Sequence, residues 1–340
     1  MPGFRLLHLV GSPTSEFYRD LSLVYARDCL EVSRELAGHE DVIAYVTPDG
    51  RWRFPADLTA EAIERAESIG LAEALARLSG LKIGMAIPQM FCLAGMTTYR
   101  SLLELLGIEY VGNRPGVMAL TADKAKTKAV VAAAGVRVPD GELLRPGQPA
   151  SVPPPTVVKP ADADNSLGVS LVREAGQYPE ALERSFEHAD RTLVESYVEP
   201  GREVRCGIVV RDGELLCLPL EEYRIADIRD HGDKILRNGA GDLELVAKDN
   251  PSVWIVDPAD PATAVVHDAA RRSHLALDCR DYSLFDFRID PDGEPWFIEA
   301  SLYCSFARQS VLSVMAAAAG LRTSDLLALF LADFASGSPG

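Results

Sequence analysis

Several features that often reveal a protein's class are scarce in this chain. Its six cysteines are scattered without a CxxC pair, which argues against a zinc site or a disulfide framework and favours reduced thiols in the cytoplasm. No apolar run reaches the roughly 18 to 20 residues that a membrane-spanning helix needs. The first residues show no signal-peptide cleavage pattern. The sequence therefore predicts a cytoplasmic protein without a membrane partner.

Positive charge is also in short supply. The chain has 34 Lys and Arg against 50 Asp and Glu, which gives a formal net charge of -16. A surface this acidic repels phosphate backbones, so nucleic acid is not an expected partner. Any anionic small molecule must be held by local cations, helix N-termini or metal ions. With 340 residues, the chain suits two or three packed α/β lobes.

The first lobe is expected to span residues 1–113. Its apolar runs predict strands at Leu6–Val10, Val42–Val46 and Ile83–Ile87. Helical periodicity follows at Leu21–Leu36, Ala60–Leu78 and Thr97–Leu106. Strands that alternate with helices indicate a parallel, Rossmann-like sheet.

Two further lobes are expected after residue 113. Residues 114–200 read as a small central α+β lobe, with the strand TVVKP, a polar loop and the strand TLVES. Residues 201–340 read as a C-terminal α+β lobe whose sheet is antiparallel, because the pairs Asp212-Gly213 and Asp292-Gly293 are hairpin turn signals. Residues 222–248 are charged and weakly periodic, which is typical of a lid over a site.

Two acidic residues in neighbouring strands carry the strongest chemical signal. Asp286 lies in LFDFRID and Glu299 in WFIEAS, with the turn DPDG between them. Carboxylates flanked by aromatic residues are costly to bury unless cations neutralise them, and carboxylates together with nucleotide phosphates suit magnesium. For either residue alone, a solvent-facing edge position is the simpler interpretation.

Lysines and a small-residue loop supply the other parts of a phosphate site. Lys124 opens a helix in DKAKTK, and Lys159 ends a strand just before the loop 161–168. A lysine at a strand end can meet phosphates while loop N–H groups complete the cradle. Glu195 and Glu203 offer acceptors for an exocyclic amine or ribose hydroxyls. Taken alone, Lys124 and both glutamates read equally well as surface charges, and the loop contains no Walker motif.

The order DKAKTK, VVKP, DNSLGV, LVESYVEPGREV, FDFRID and FIEAS resembles the D-alanine–D-alanine ligase branch of the ATP-grasp superfamily. The resemblance implies an α/β ATP-grasp fold of three lobes that binds ATP and two Mg²⁺ ions, with Mn²⁺ as a substitute. It implies nucleotide contacts at Lys124, Lys159, Asn165, Ser166, Gly168, Glu195, Val198 and Glu203. It implies metal ligands at Asp286, Glu299 and Ser301.

Three positions depart from that branch. Ser301 replaces an asparagine of the metal site, and Leu284 replaces the arginine expected two residues before Asp286. The segment PQMFCLAGMT, residues 88–97, stands where a His-Gly signature is expected. An arginine at position 284 would stabilise the oxyanion of acyl transfer. The acceptor chemistry is therefore expected to differ while the ATP machinery is kept.

Longer phrases, among them HLVGSPTSEFYRDLSLVYARDCL and WFIEASLYCSFA, are similar to the ligases that complete mycosporine-like amino acids. This resemblance implies condensation of mycosporine-glycine with a free amino acid of the serine or threonine class, through a phosphorylated ring enol. Catalytic roles would fall to Lys159, Lys234 (with Arg237 as second choice), Arg308 and Ser310. Substrate contacts would come from Glu16, Met90, Phe91, Tyr303, Ser305 and Arg308. Arg308 follows the metal strand and is expected to hold a substrate carboxylate in a bidentate clasp, with an ordinary helix-face arginine as the alternative.

Two alternatives stay open at this stage. One is a dipeptide-forming carboxylate–amine ligase that acts through an acyl phosphate, and the other is an ATP-binding pseudoenzyme with a regulatory role. The resemblance also suggests a homodimer formed through the first lobe.

Overall fold

The computed structural model describes residues 4–163, 166–199, 201–224, 227–228, 235–237, 243–245, 252–302 and 305–336. Its helices are α1 (Glu16–Arg34), α2 (Ala60–Arg65), α3 (Leu71–Gly80), α4 (Leu93–Met96), α5 (Thr98–Leu105), α6 (Pro115–Thr121), α7 (Lys124–Ala133), α8 (Tyr178–Phe186), α9 (Pro261–Ala276), α10 (Val311–Ala318) and α11 (Thr323–Ser336).

Its strands are β1 (Phe4–Gly11), β2 (His39–Val46), β3 (Trp52–Arg53), β4 (Ile83–Pro88), β5 (Glu109–Tyr110), β6 (Gly141–Leu144), β7 (Thr156–Pro160), β8 (Ser170–Val172), β9 (Thr192–Ser196), β10 (Arg202–Arg211), β11 (Glu214–Cys217), β12 (Glu221–Tyr223), β13 (Ile235–Arg237), β14 (Leu243–Leu245), β15 (Val253–Ile255), β16 (Tyr282–Ile289) and β17 (Pro295–Ala300).

The N-terminal sheet has the strand order β3-β2-β1-β4-β5. Strands β2, β1, β4 and β5 are parallel and only β3 is antiparallel to its neighbour, which confirms the predicted parallel sheet. The helix predicted over Ala60–Leu78 is interrupted, because Ile69 and Trp52 exchange backbone hydrogen bonds of 2.9 and 3.0 Å. Helix α3 then begins after Gly70, whose backbone is extended.

The central sheet is antiparallel throughout, in the order β6-β9-β7-β8. Strands β7 and β9 coincide with the apolar runs TVVKP and TLVES. Strands β6 and β8 were not predicted, since neither has a clear apolar run. Helix α8 covers one face through Tyr178 and Ala181, which pack with Val158 and Val194.

The C-terminal sheet runs β15-β12-β10-β16-β17, with β11 also paired to β10. Both hairpins predicted from Asp-Gly pairs are present: β10 pairs antiparallel with β11, and β16 with β17. Asp212 and Gly213 have φ values of 52° and 77°, as a two-residue turn of this kind requires. One face of the sheet carries Val204, Phe285 and Phe287 in a core that includes Val266 of α9.

The region predicted as a lid, 222–248, begins differently from the prediction. Glu222 and Tyr223 belong to β12, inside the sheet. Strands β13 and β14 pair as a short hairpin, and β14 lies against α1 of the N-terminal region. Closure over a ligand remains a prediction, and Lys234 lies outside the described residues.

Polar contacts join the first lobe to the C-terminal sheet. The Gly112 amide donates to Asp281 at 2.6 Å, and Arg280 donates to the Gly112 carbonyl at 2.6 Å. The Asn113 side-chain amide donates to the Tyr282 carbonyl at 2.9 Å.

Across the described ranges, no single helix is long and apolar enough to cross a bilayer. Helices α10 and α11, the latter over Thr323–Ala332, meet the length and composition criteria only as a pair, and a bend of 100° separates them.

Candidate functional site

A cleft open to solvent lies between the central sheet and the C-terminal sheet, and it contains about 790 Å³ of empty space. The predicted site residues on its wall are Lys124, Lys159, Ser166, Glu195, Val198, Glu203, Asp286 and Glu299. They come from α7, from strands β7, β9, β10, β16 and β17, and from the loops beside them. Residues far apart in sequence thus line one cleft.

Two lysines share one carboxylate at the floor of this cleft. The Lys159 ammonium donates to Glu195 Oε1 at 2.5 Å, and the Lys128 ammonium donates to Glu195 Oε2. All three side chains are buried. Burial lowers the pKa of Lys128 to about 7, although Glu195 opposes this shift. Burial alone would raise the pKa of Glu195, but the charges of both lysines outweigh it and lower that pKa.

Lys128 was missed by the sequence reasoning. It lies four residues after Lys124, one turn along the same helix, and this spacing puts both lysines on one face. The shared face is therefore the signal that could have found it. Glu195 was expected to accept from an exocyclic amine or ribose hydroxyls. In the structure each of its oxygens accepts from a lysine, and its contact with a nucleotide remains a prediction.

Lys124 and the polar loop meet at the cleft edge. Asp123 caps α7 by accepting from the Lys126 amide. The backbone amide of Lys124 donates to the Ala161 carbonyl at 2.8 Å, and its ammonium donates to the Ala163 carbonyl at 2.5 Å. Lys124 thereby fixes the start of the loop that was predicted to hold phosphates.

The loop ends at a position that requires glycine. Gly168 has a φ of +67°, and a Cβ built there would lie 2.7 Å from the His188 ring. Asn165, predicted in the same loop, lies outside the described residues.

The two predicted metal carboxylates are cross-strand neighbours. Asp286 of β16 pairs directly with Glu299 of β17, and both line the cleft. Ser301 follows in the same segment and donates its amide to the Leu284 carbonyl at 2.8 Å. These hard oxygen donors fit Mg²⁺. The described residues contain no cluster of three or more His, Cys, Asp or Glu suited to a metal.

Two arginines on the same sheet were also missed. Arg205 of β10 lies opposite Asp286 and donates to its carboxylate, with Nε 2.5 Å from Oδ1. Arg288 of β16 lies opposite Glu203 and donates to its Oε2 at 3.2 Å. Because side chains alternate along a strand, positions 286 and 288 share a face, and this period could have identified Arg288. Arg205 could be placed only once the pairing of β10 with β16 was known.

A family profile described as "D-ala D-ala ligase C-terminus" matches residues 149–332. The D-alanine–D-alanine ligase of Mycobacterium sp. strain KMS is 31% identical over 332 residues, which cover 85% of each chain. This chain belongs to the D-alanine–D-alanine ligase family. The D-alanine–D-alanine ligase of Mycobacterium tuberculosis H37Rv is 32% identical over 248 residues, covering 69% of this chain and 64% of that relative.

A solved structure gives the same fold. The VanG D-Ala:D-Ser ligase of Enterococcus faecalis superposes with a TM-score of 0.79 and 21% identity, over 98% of this chain and 99% of that one. The chain therefore has the mixed α/β ATP-grasp fold of the D-alanine ligases, as the sequence predicted, and it belongs to a family of ligases. The boundaries of its three lobes remain a prediction.

The described residues that were predicted to bind the other substrates come from the N-terminal sheet region and from the segment after β17. Glu16 opens α1 after the loop that follows β1. Met90 and Phe91 follow β4 and are buried, and the Phe91 ring contacts that of Tyr25 with centroids 5.1 Å apart. Because β1 and β4 are parallel neighbours, both segments lie at the same edge of the sheet. Tyr303 lies outside the described residues.

Arg308 is placed differently from the predicted clasp. Its guanidinium bonds Asp28 and Glu31 of α1 and Glu35 at the C-terminal end of that helix. Three carboxylates already surround this cation, so it is held on α1 rather than presented to a substrate carboxylate.

The predicted serines have structural partners. Ser310 caps α10, and its hydroxyl donates to the Ser305 carbonyl at 2.6 Å. Ser305 accepts from the Ala307 amide at 3.1 Å. Both hydroxyls therefore shape the loop before α10, and their roles with substrate remain predictions.

Proposed function

We propose that this protein is an ATP-dependent ligase that forms a C–N bond and releases ADP and phosphate. The observation that carries the proposal is the convergence of Lys124, Lys159, Asp286 and Glu299 on one cleft. Phosphoryl transfer depends on positioning and on charge neutralisation. Cations on one wall and paired carboxylates on the other suit that task.

Each side of the cleft has its own part in this proposal. Lys124 and Lys159 would hold phosphate oxygens, while Glu203 would accept from ribose hydroxyls. Asp286, Glu299 and Ser301 would hold Mg²⁺, which supplies positive charge to the phosphates when bound. The pairing of Lys159 with Glu195 keeps the ammonium at the cleft floor before the nucleotide arrives. A cytoplasmic location and a homodimer remain predictions.

The finer proposal concerns the acceptor. We propose that ATP phosphorylates the ring ketone oxygen of mycosporine-glycine and that an amino acid of the serine or threonine class adds at that carbon. The environment of Leu284 supports this choice. Leu284 is buried with Leu312 and Met315, so β16 offers no cation for an acyl oxyanion at this position. A delocalised ring cation has less need of such a donor.

The reaction balances as follows. The ketone oxygen forms a bond to the γ-phosphorus as the bond to the β,γ-bridging oxygen breaks, and ADP leaves. The amine of the amino acid adds to the phosphorylated carbon and loses a proton. Inorganic phosphate then leaves with the former ketone oxygen, and the imine forms.

A second candidate is a dipeptide ligase that proceeds through an acyl phosphate. The names of the relatives support it, since they are D-alanine–D-alanine ligases. In that reaction a carboxylate oxygen, not a ketone oxygen, would be phosphorylated.

Isotope labelling separates the two candidates. Mycosporine-glycine labelled with ¹⁸O at the ketone is incubated with ATP and serine, and the released phosphate is analysed by mass spectrometry. We expect ¹⁸O in the phosphate and none when only the glycine carboxylate is labelled. Label from the carboxylate alone, or turnover only with D-alanine, would establish the dipeptide route. Absence of ATP turnover with either substrate set would reject the ligase proposal.

A further inference from the structure

Arg205 of β10 lies directly opposite Asp286 of β16, on the same face of the C-terminal sheet. Its side chain is only 11% exposed. Nε and Nη2 donate to the two oxygens of Asp286 at 2.5 and 3.2 Å. The guanidinium carbon also lies 5.2 Å from the centre of the Tyr223 ring. A buried arginine is therefore fixed beside a carboxylate that is proposed to hold the metal.

The neighbouring Arg288 shows how a structural arginine uses its donors. Its Nε and Nη2 bond Glu203, its Nη1 donates to the Val198 carbonyl, and Nη2 also donates to the Asp227 carbonyl. All three nitrogens of Arg288 are engaged. In the part of the chain that the structure describes, Arg205 bonds through Nε and Nη2 alone, and its Nη1 has no hydrogen-bond partner.

The position of β16 two residues before Asp286 on this face supplies no cation. Leu284 shares the face of Asp286 but is buried in the core with Leu312 and Met315. The residue of β10 opposite Leu284 is Gly207, which has no side chain. Arg205, opposite Asp286, is the cation that the strand pairing places directly against this carboxylate.

We infer that Arg205 is a catalytic cation of this site, whose guanidinium positions Asp286 through two nitrogens and stabilises the transferring phosphoryl oxygens through the third. This inference rests on the proposed ligase function. It fits either acceptor, because both routes pass through phosphoryl transfer. Because the guanidinium is already held in place, it does not have to reorient as negative charge develops on the phosphoryl oxygens.

The test compares Arg205→Ala and Arg205→Lys with Arg202→Ala. Arg202 is the matched control, since it lies on the same strand and pairs with Glu222 and Asp260. We expect Arg205→Ala to lower kcat by about 10²–10³, the loss typical of one oxyanion donor. We expect the dissociation constant of a non-hydrolysable ATP analogue, measured by calorimetry with Mg²⁺, to change far less. Arg205→Lys should recover part of the rate, and added guanidinium ion should partly rescue Arg205→Ala.

Several results would overturn the inference. One is a wild-type kcat in Arg205→Ala, with or without tighter Mg²⁺ binding, which would make Arg205 a neutralising partner of Asp286 only. Another is an Arg205→Ala enzyme whose rate is not rescued by guanidinium ion and whose thermal stability is also lowered. These failures concern variants of an active enzyme, whereas failure of the proposed function would appear as an inactive wild-type protein.

Discussion

The two ends of one sheet face differ completely in polarity. At one end, strands β10 and β16 present Glu203, Arg205, Asp286 and Arg288. Two residues further along the same strands, the face becomes apolar, and Leu284 joins the core beneath α10. Backbone pairing is continuous between the ends.

This difference shows what limits the site. Alternation along the strands fixes which side chains share the face, but the elements packed above decide whether that face can be charged. Helix α10 covers the apolar end, where Gly207 has the Leu312 side chain 3.1 Å from a Cβ built on it. Charged residues begin where this cover ends, because a charge beneath the helix would be buried without water or a partner.

Removing one charge from the polar end should have the largest effect. We expect Glu299→Gln to lower turnover by about 10²–10³, since the metal loses a carboxylate ligand and neutralises the developing phosphoryl charge less well. The rate of ADP release measures this effect. Glu294→Gln is the control, because Glu294 lies at the turn of the same hairpin and pairs with exposed Arg137. Equal rates in the two variants would show that the polar end is not the reaction centre.

Adding a charge to the apolar end should affect stability first. Leu284→Arg puts a guanidinium into the core of Leu312 and Met315, while Asp286 is already bonded to Arg205. We expect a loss of about 3–5 kcal/mol in the free energy of unfolding, measured with urea, because the charge is buried without a partner. Leu284→Met should cost less than about 1.5 kcal/mol. If Leu284→Arg were as stable as Leu284→Met, packing of α10 over this end would not explain why one end of the face is apolar and the other is charged.

The smallest effect is expected outside both ends, at Arg308. Its ion pairs with α1 are exposed, and such pairs contribute about 0–1 kcal/mol. Arg308→Ala should therefore leave the Michaelis constants of both substrates nearly unchanged. A large rise in either constant would restore the predicted carboxylate clasp and extend the site beyond the cleft.

Much of the fold could be predicted because its signals are local. The apolar runs of β1, β4, β7 and β9 and the Asp-Gly turns each depend on a few adjacent residues. The pairing of Asp286 with Glu299 followed from one such turn. Ile69 was predicted as helical because its bond to Trp52 depends on residues that are distant in sequence.

Among the site residues that the sequence analysis missed, only Arg205 was missed because of contacts between distant segments. Lys128 and Arg288 could have been found from helical and strand periods, but Arg205 depends on which strands pair. The position of Arg308 depends on how α1 packs against the C-terminal region. The sequence around Arg308 contains no pattern that predicts this packing. The sequence thus indicated which residue types form the cleft, whereas the pairing of strands and the packing of helices determine which charged side chains contact one another.

The buried trio of Lys128, Glu195 and Lys159 has a consequence for proton balance. With a pKa of about 7, Lys128 is partly deprotonated near neutral pH, and nearby phosphates would raise that pKa. Nucleotide binding would then take up a proton, so the apparent affinity for ATP should weaken as pH rises above about 7. Binding heats measured in buffers of different ionisation enthalpy would reveal this uptake, and Lys128→Met should abolish it. The fraction of the protein that carries a nucleotide would thus depend on the pH of the solution.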